Sequence, residues 1–143
     1  MRCPHCGQYL ENTLWEALQP YRSLNLPVVV TNIDSILEVG PRIRAIFEEK
    51  NGHLKIRGFQ AVTLKKVARS LRVPLYYIER LDDQVKLYEF DTNQAVESGP
   101  FLRADQLLPI FSGSVNEFGD WIMEKFVLPS CSSVNGGKTC RRW

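Results

Sequence analysis

The chain lacks any apolar run long enough to cross a bilayer. Stretches such as Leu26-Pro-Val-Val-Val30 stop far short of the roughly 20 residues a spanning helix needs. The segment Met1-Arg-Cys-Pro-His-Cys-Gly7 has no apolar core of the secretory type. A cytoplasmic (intracellular) protein without a membrane partner is therefore expected. Internal repeats and low-complexity segments are also missing, and collagen-like and disordered classes are excluded with them. Net charge is scant, at +2 over 143 residues. What remains is an ordinary globular composition, 44% hydrophobic and 24% charged, at the length of one domain. A chain of this size buries about 70% of its unfolded surface and needs no cross-links to hold a core.

The small net charge conceals an uneven distribution. Residues 1–41 sum to −2, residues 42–80 to +7 and residues 81–143 to −3. A basic middle between acidic flanks suggests a surface that faces a polyanion, although a solvated helix face produces the same count.

Periodicity divides the chain into alternating elements. Leu10, Leu14, Ala17, Leu18 and Tyr21 fall on one helical stripe. The β-branched run Val28-Val-Val-Thr31 opens a strand that is expected to continue to about Val39. Gly40-Pro41 turns the chain, and Arg42 to Lys50 returns as the second strand of a hairpin, ended by Asn51-Gly52. A helix is expected over about 59–72, with Gln60, Leu64, Val67 and Leu71 inward. Val73–Ile78 and Val85–Phe90 read as strands, with Pro74 marking an edge or a strand start. A short helix is expected over about 104–111. Ser114-Val-Asn-Glu117 fits a capping box, before a helix burying Val115, Phe118, Ile122 and Phe126. The expected fold class is α/β: a small central mixed β-sheet flanked by helices. Residues 10–128 form the domain, 1–9 a Cys-containing N-terminal knuckle and 129–143 a C-terminal tail with two Cys.

Charged residues on an otherwise apolar hairpin call for a reason. Asp34 lies among Ile33 and Ile36, and Glu48 and Lys50 follow Ile46 and Phe47. Residues two apart on a strand share a face, so Glu48 and Lys50 point one way and Glu49 the other. A hairpin closing at Gly40-Pro41 brings Asp34 beside Glu48. Two carboxylates there suit Mg²⁺ or Mn²⁺, since hard cations prefer oxygen. Such an ion activates water for attack on a phosphate, and Lys50 holds the attacking water or offsets the growing charge. A surface Glu–Lys pair without function matches the same letters.

Asn32-Ile-Asp34, Phe47-Glu-Glu-Lys50, Gln60 at the start of an amphipathic helix and Val73-Pro-Leu-Tyr-Tyr-Ile78 together resemble the core of the PD-(D/E)XK nucleases. They are most similar to the archaeal Holliday junction resolvase branch. The resemblance covers roughly residues 10–80, and Ile33 stands where the motif name has Pro. It implies a restriction-endonuclease-like core, Asp34 and Glu48 as ligands of Mg²⁺ or Mn²⁺, and Lys50 as the catalytic lysine. It also implies Gln60 near the site, a first-helix glutamate reaching the metal (Glu11 preferred over Glu16), a DNA substrate and a homodimer. No pattern of the family accounts for residues 100–143.

Cys3-Pro-His-Cys6 has the spacing of half a zinc knuckle, and Cys131 and Cys140 lie at the other end of the chain. If the termini meet, four thiolates close a structural Zn²⁺ site, with His5 as a substitute ligand. Some relatives within the nuclease superfamily hold an iron–sulfur cluster with split cysteines. Free thiols or a terminal disulfide are the alternatives. Arg42, Arg44, Lys55 and Arg57 flank the acidic pair in sequence and could hold phosphates without reading bases. His53 shares that loop. Lys65, Lys66, Arg69 and Arg72 sit on the outer side of the second helix. The leading expectation is a metal-dependent DNA endonuclease. The alternatives are a non-catalytic nucleic-acid-binding module of the same fold, docked by a zinc knuckle, and an interaction protein in which the hairpin charges are incidental.

Overall fold

Arg42–Asn51 is the longest strand, and because successive side chains point to opposite faces it sorts the core into two halves. In the computed structural model, Ala45 and Phe47 face one cluster of buried side chains and Ile46 faces the other. The structure describes residues 13–26, 28–30, 35–51, 56–95, 101–102 and 104–129. Within them, helix α1 spans Thr13–Leu18 and runs into a 3₁₀ turn at Gln19–Leu24. Strands β1 (Val28–Val30), β2 (Ile36–Val39) and β3 (Arg42–Asn51) follow. After α2 (Gly58–Leu71) come β4 (Leu75–Leu81), β5 (Gln84–Phe90), β6 (Leu107–Ser114) and α3 (Val115–Ile122). The last helix continues as a π-helical segment over Met123–Val127.

The six strands form one sheet in chain order, and every neighbouring pair is antiparallel except β3–β4. That one parallel pair requires a crossover, which α2 supplies. Helix α2 covers one face with Ala61, Leu64 and Ala68 against Ile46, Leu75, Tyr77 and Phe90. Helices α1 and α3 cover the other with Leu14, Ala17, Phe118 and Ile122 against Leu37, Phe47, Tyr76 and Leu87. The expected α/β class, with a mixed sheet flanked by helices, is found.

Three local expectations need correction, and a fourth that left two readings open is settled. The strand expected from Val28 to about Val39 is two strands that pair antiparallel, Val29 opposite Glu38. Hydrophobic alternation cannot signal a reversal inside a β-branched run. The inward stripe of α2 runs through Ala61, Leu64 and Ala68, while Val67 and Leu71 are each 40% exposed. Small side chains there let the helix approach the sheet closely. The expected helix over 104–111 is a 3₁₀ turn at Ala104–Gln106 followed by β6. Pro109 is tolerated because β6 is an edge strand and the register shifts beside its partner Tyr88. Pro74 marks a strand start and not an edge, since β4 lies inside the sheet and the Pro74 carbonyl accepts the Ile46 N–H at 3.1 Å.

Two local signals hold. Gly40 in the β2–β3 turn has φ of 60°, a conformation glycine adopts without strain. The Ser114 hydroxyl accepts the Glu117 N–H at 3.1 Å, as the capping box requires. The Tyr21 hydroxyl donates to the Asp120 carboxylate, and this bond pushes the phenol up to about 12.

Helices α1 and α3 touch through Gly119. A Cβ built there would lie 2.2 Å from the Ala17 carbonyl oxygen, a backbone atom that cannot step aside alone. Gly119→Ala is therefore expected to wedge the two helices apart and cost about 1–3 kcal/mol, the range for overpacking. Urea denaturation of the variant checks this, and Asp120→Ala on the neighbouring exposed position serves as a milder comparison.

Candidate functional site

Because side chains alternate along β3, Glu48 and Lys50 stand on the α2 face and Glu49 on the α1 face. Gln60 lies in the first turn of α2, where the helix begins its return across that same face. The three side chains close a triangle. Gln60 Nε2 donates to Glu48 Oε1 at 2.6 Å, and Lys50 Nζ donates to Gln60 Oε1 at 3.0 Å. Lys50 Nζ lies 3.4 Å from Glu48 Oε1, with the two side chains 22% and 14% exposed. The amide is used at both ends, so it fixes the acid and the base relative to each other. A cation–anion pair at a part-exposed site contributes only about 0–1 kcal/mol to stability. A third side chain held between the pair is more than a surface ion pair needs.

The sheet end that carries this triangle is clamped from the other face. Glu49 accepts the Thr13 N–H at 3.1 Å and also the Thr13 hydroxyl. A carboxylate at the start of α1 satisfies a helix N–H that has no partner within the helix. Arg80, 5% exposed on β4, donates from Nη1 to Glu16 Oε2 at 2.6 Å and from Nε to the Asp82 carbonyl at 2.7 Å. Its Nη1 also reaches Thr13 Oγ1 at 3.3 Å. The guanidinium beside Glu16 holds that carboxyl below its ordinary range, the hydrogen bond being the larger cause. Glu16 is thus committed to holding α1 on the sheet.

Tyr77 is the register partner of Glu48 across the parallel β3–β4 ladder. It is fully buried, and its hydroxyl has no hydrogen-bond partner among the described residues. Burial first and the Glu48 carboxylate second push its phenol well above the usual range.

The structure brings together three of the expected residues: Glu48, Lys50 and Gln60. Asp34, Glu11, Lys55, His5, His53 and the four cysteines Cys3, Cys6, Cys131 and Cys140 lie outside the described residues. The carbonyl of Ser35, the residue after Asp34 in sequence, accepts the Phe47 N–H at 3.1 Å, one residue before Glu48. Arg57 is exposed immediately before α2, three residues from Gln60. Arg42 does not flank the triangle. It begins β3, six residues from Glu48, which at strand rise is about 20 Å. Arg44 stands about 13 Å from Glu48 by the same measure. Tyr76 and Tyr77 are core residues, and Trp121 is half-buried, packed on Phe118 and Tyr76.

Sequence reasoning missed Glu49, Arg80 and the Tyr77 hydroxyl. Arg80 had a visible signal, since it continues the buried alternation of Tyr76 and Ile78 with a charge. For Glu49 and Tyr77 the partners come from distant parts of the chain.

Oxygen chemistry at the triangle suits a hard cation, because Glu48 Oε2 takes no part in the three contacts. No group of three or more His, Cys, Asp or Glu side chains that could hold a metal occurs among the described residues. Glu79, the register partner of Lys50 across the β3–β4 ladder, is a described carboxylate on the same face of the sheet. A groove of about 610 Å³ between Arg69 and Arg72 on one wall and Glu89 and Asp91 on the other lies at the C-terminal end of α2, away from Gln60. Among the described residues no helix is long and apolar enough to cross a membrane. No protein-family model matches the chain, and no curated protein matches it in sequence.

Proposed function

We propose that the chain is a metal-dependent DNA endonuclease of the PD-(D/E)XK type with a restriction-endonuclease-like core. It hydrolyses phosphodiester bonds, with branched DNA of the Holliday-junction kind as its substrate class and a homodimer as its working form. The observation that carries this reading is the closed Glu48–Lys50–Gln60 triangle at the end of β3. Strand order adds support: a hairpin, a crossover helix and a parallel strand follow one another as that architecture requires.

Glu48 and Asp34 would hold Mg²⁺ or Mn²⁺, which when bound polarises the phosphate and makes water a stronger acid. Gln60 orients the Glu48 carboxylate, so that the acid does not have to be ordered at the moment of reaction. Lys50 places a positive charge where negative charge grows on the phosphate oxygens. Its ammonium, 3.4 Å from Glu48 Oε1, also offsets the charge of that carboxylate. Zn²⁺ at the four cysteines would hold the two termini together.

The test is incubation with supercoiled plasmid and with a synthetic four-way junction, in Mg²⁺, Mn²⁺ or EDTA, with Asp34→Ala in parallel. Cleavage by the wild type that stops in EDTA and in the variant is expected. A wild type that cuts neither substrate, or an Asp34→Ala variant that cuts equally well, sinks the reading.

Position relative to the triangle separates the arginines. Binding of a four-way junction in EDTA is expected to weaken with salt, and Arg57→Ala is expected to reduce the log–log salt slope by about 1. Arg42→Ala, at the far end of β3, is expected to leave the slope unchanged. Fluorescence anisotropy across a salt series reads both.

A further inference from the structure

Among the described residues, nothing takes up the hydroxyl of Tyr77. The ring lies in the core beneath α2, edge-on to Phe90 with centroids 6.4 Å apart, and the residue has no exposed surface. Its oxygen is buried without a hydrogen-bond partner among the described residues. A phenylalanine would fill the same space without the desolvation cost that an orphaned hydroxyl imposes. Phe47 and Phe90 do so in the same sheet. A buried polar group of this kind requires an explanation, and a partner that binds at the site is one.

The nearest functional charge supplies that partner. Tyr77 faces Glu48 directly across the β3–β4 ladder, and both side chains stand on the α2 face of the sheet. At neutral pH a phenol is protonated. A protonated phenol is a donor, which a carboxylate can accept. Gln60 and Lys50 both approach Glu48 through Oε1, leaving Oε2 outside the triangle. A buried water between a phenol and a carboxylate has the two polar partners that such a water needs as a minimum.

We propose that Tyr77 is a positioning residue of the site, its hydroxyl donating through one buried water to the Glu48 carboxylate and fixing that carboxylate toward the cation. This rests on the nuclease reading and deepens it. Removing a hydrogen bond of this second layer lowers metal affinity by about 10–100-fold where it has been measured.

The experiment is calorimetric titration of Mn²⁺ alone into wild type, Glu48→Gln and Tyr77→Phe, with melting curves of each in the absence of metal. Binding by the wild type, its loss in Glu48→Gln and a weakening of at least about 10-fold in Tyr77→Phe are expected. The metal-free Tm of Tyr77→Phe is expected to stay within about 4 °C of the wild type, since a single water-bridged hydrogen bond contributes little net stability. If Tyr77→Phe binds Mn²⁺ as tightly as the wild type while Glu48→Gln does not, the positioning role is overturned and the metal site stands. A metal-free Tm lowered by more than about 8 °C in Tyr77→Phe puts the hydroxyl in a bond that holds the fold and overturns the proposal as well. A wild type that binds no Mn²⁺ overturns both the proposal and the reading beneath it.

Discussion

Replacing Lys50 by alanine is expected to slow single-turnover cleavage of a four-way junction by about 10²–10³-fold, the cost of removing one donor aimed at charge that develops in a transition state. The same change is expected to alter stability by no more than about 1 kcal/mol, because the Lys50–Glu48 pair is part-exposed and such pairs contribute little. Rate and stability therefore separate, which they would not if Lys50 only held the fold. Gln60→Leu should fall between. It leaves both charges present but removes the amide that holds Glu48 at 2.6 Å and Lys50 at 3.0 Å, and about 10-fold or more in rate is expected. Lys50→Arg is not expected to restore activity. A planar guanidinium cannot occupy the position of a compact ammonium that both contacts Gln60 and offsets Glu48. Quenched-time courses on the three variants, with urea melts beside them, check each expectation.

The largest expected effect on stability lies on the opposite face of the sheet. Glu16→Ala is expected to cost about 2–3 kcal/mol, below the roughly 3–5 kcal/mol for breaking a fully buried ion pair because water already reaches Glu16. The Glu16 side chain is 32% exposed, whereas that of Arg80 is 6% exposed and would keep its charge without its carboxylate partner. Arg80→Met is expected to cost much less. It removes the buried charge altogether, fills similar volume, and leaves Glu16 where water can solvate it. The difference between the two variants identifies the stranded guanidinium as the source of the cost. Acid should erase part of it. Arg80 holds the Glu16 carboxyl below its unfolded value, so this contribution is fully present above the ordinary carboxylate range, about 4.3. It is lost as pH falls through the lower folded value. Urea denaturation at pH 7 and near pH 3 should show the gap between wild type and Glu16→Ala shrinking in acid. The consequence reaches the site, because Thr13, Arg80 and Glu49 tie α1 to the strand segment that carries Glu48 and Lys50.

Much of this arrangement was legible in the sequence where one side chain's period or one local bond determined it. The alternation of β3 put Glu48 and Lys50 on one face, and the helix starting near Phe59 put Gln60 over that face. The Ser114 cap and the Gly40-Pro41 turn were likewise local. What the sequence hid were choices made by distant partners. Val28 to Val39 has β character throughout, and only the pairing of Val30 with Leu37 shows that the chain doubles back within it. Leu107 to Ser114 is a strand because β5 offers it an edge, although its letters suit a short helix limited by Pro109. Glu49 looked like the idle neighbour of an interesting pair, and its use depends on Thr13 arriving from a helix 36 positions away.

The most direct test of whether Glu48, Lys50 and Gln60 form a cleaving centre, and not an idle ion pair, is the rate of plasmid nicking as Mn²⁺ is raised, measured for wild type and Glu48→Gln side by side. A saturable rise in the wild type and a flat line in the variant, with both proteins folded, are the expected result. Equal rates in the two proteins, or a rate in either that is indifferent to Mn²⁺ and survives EDTA, would contradict it.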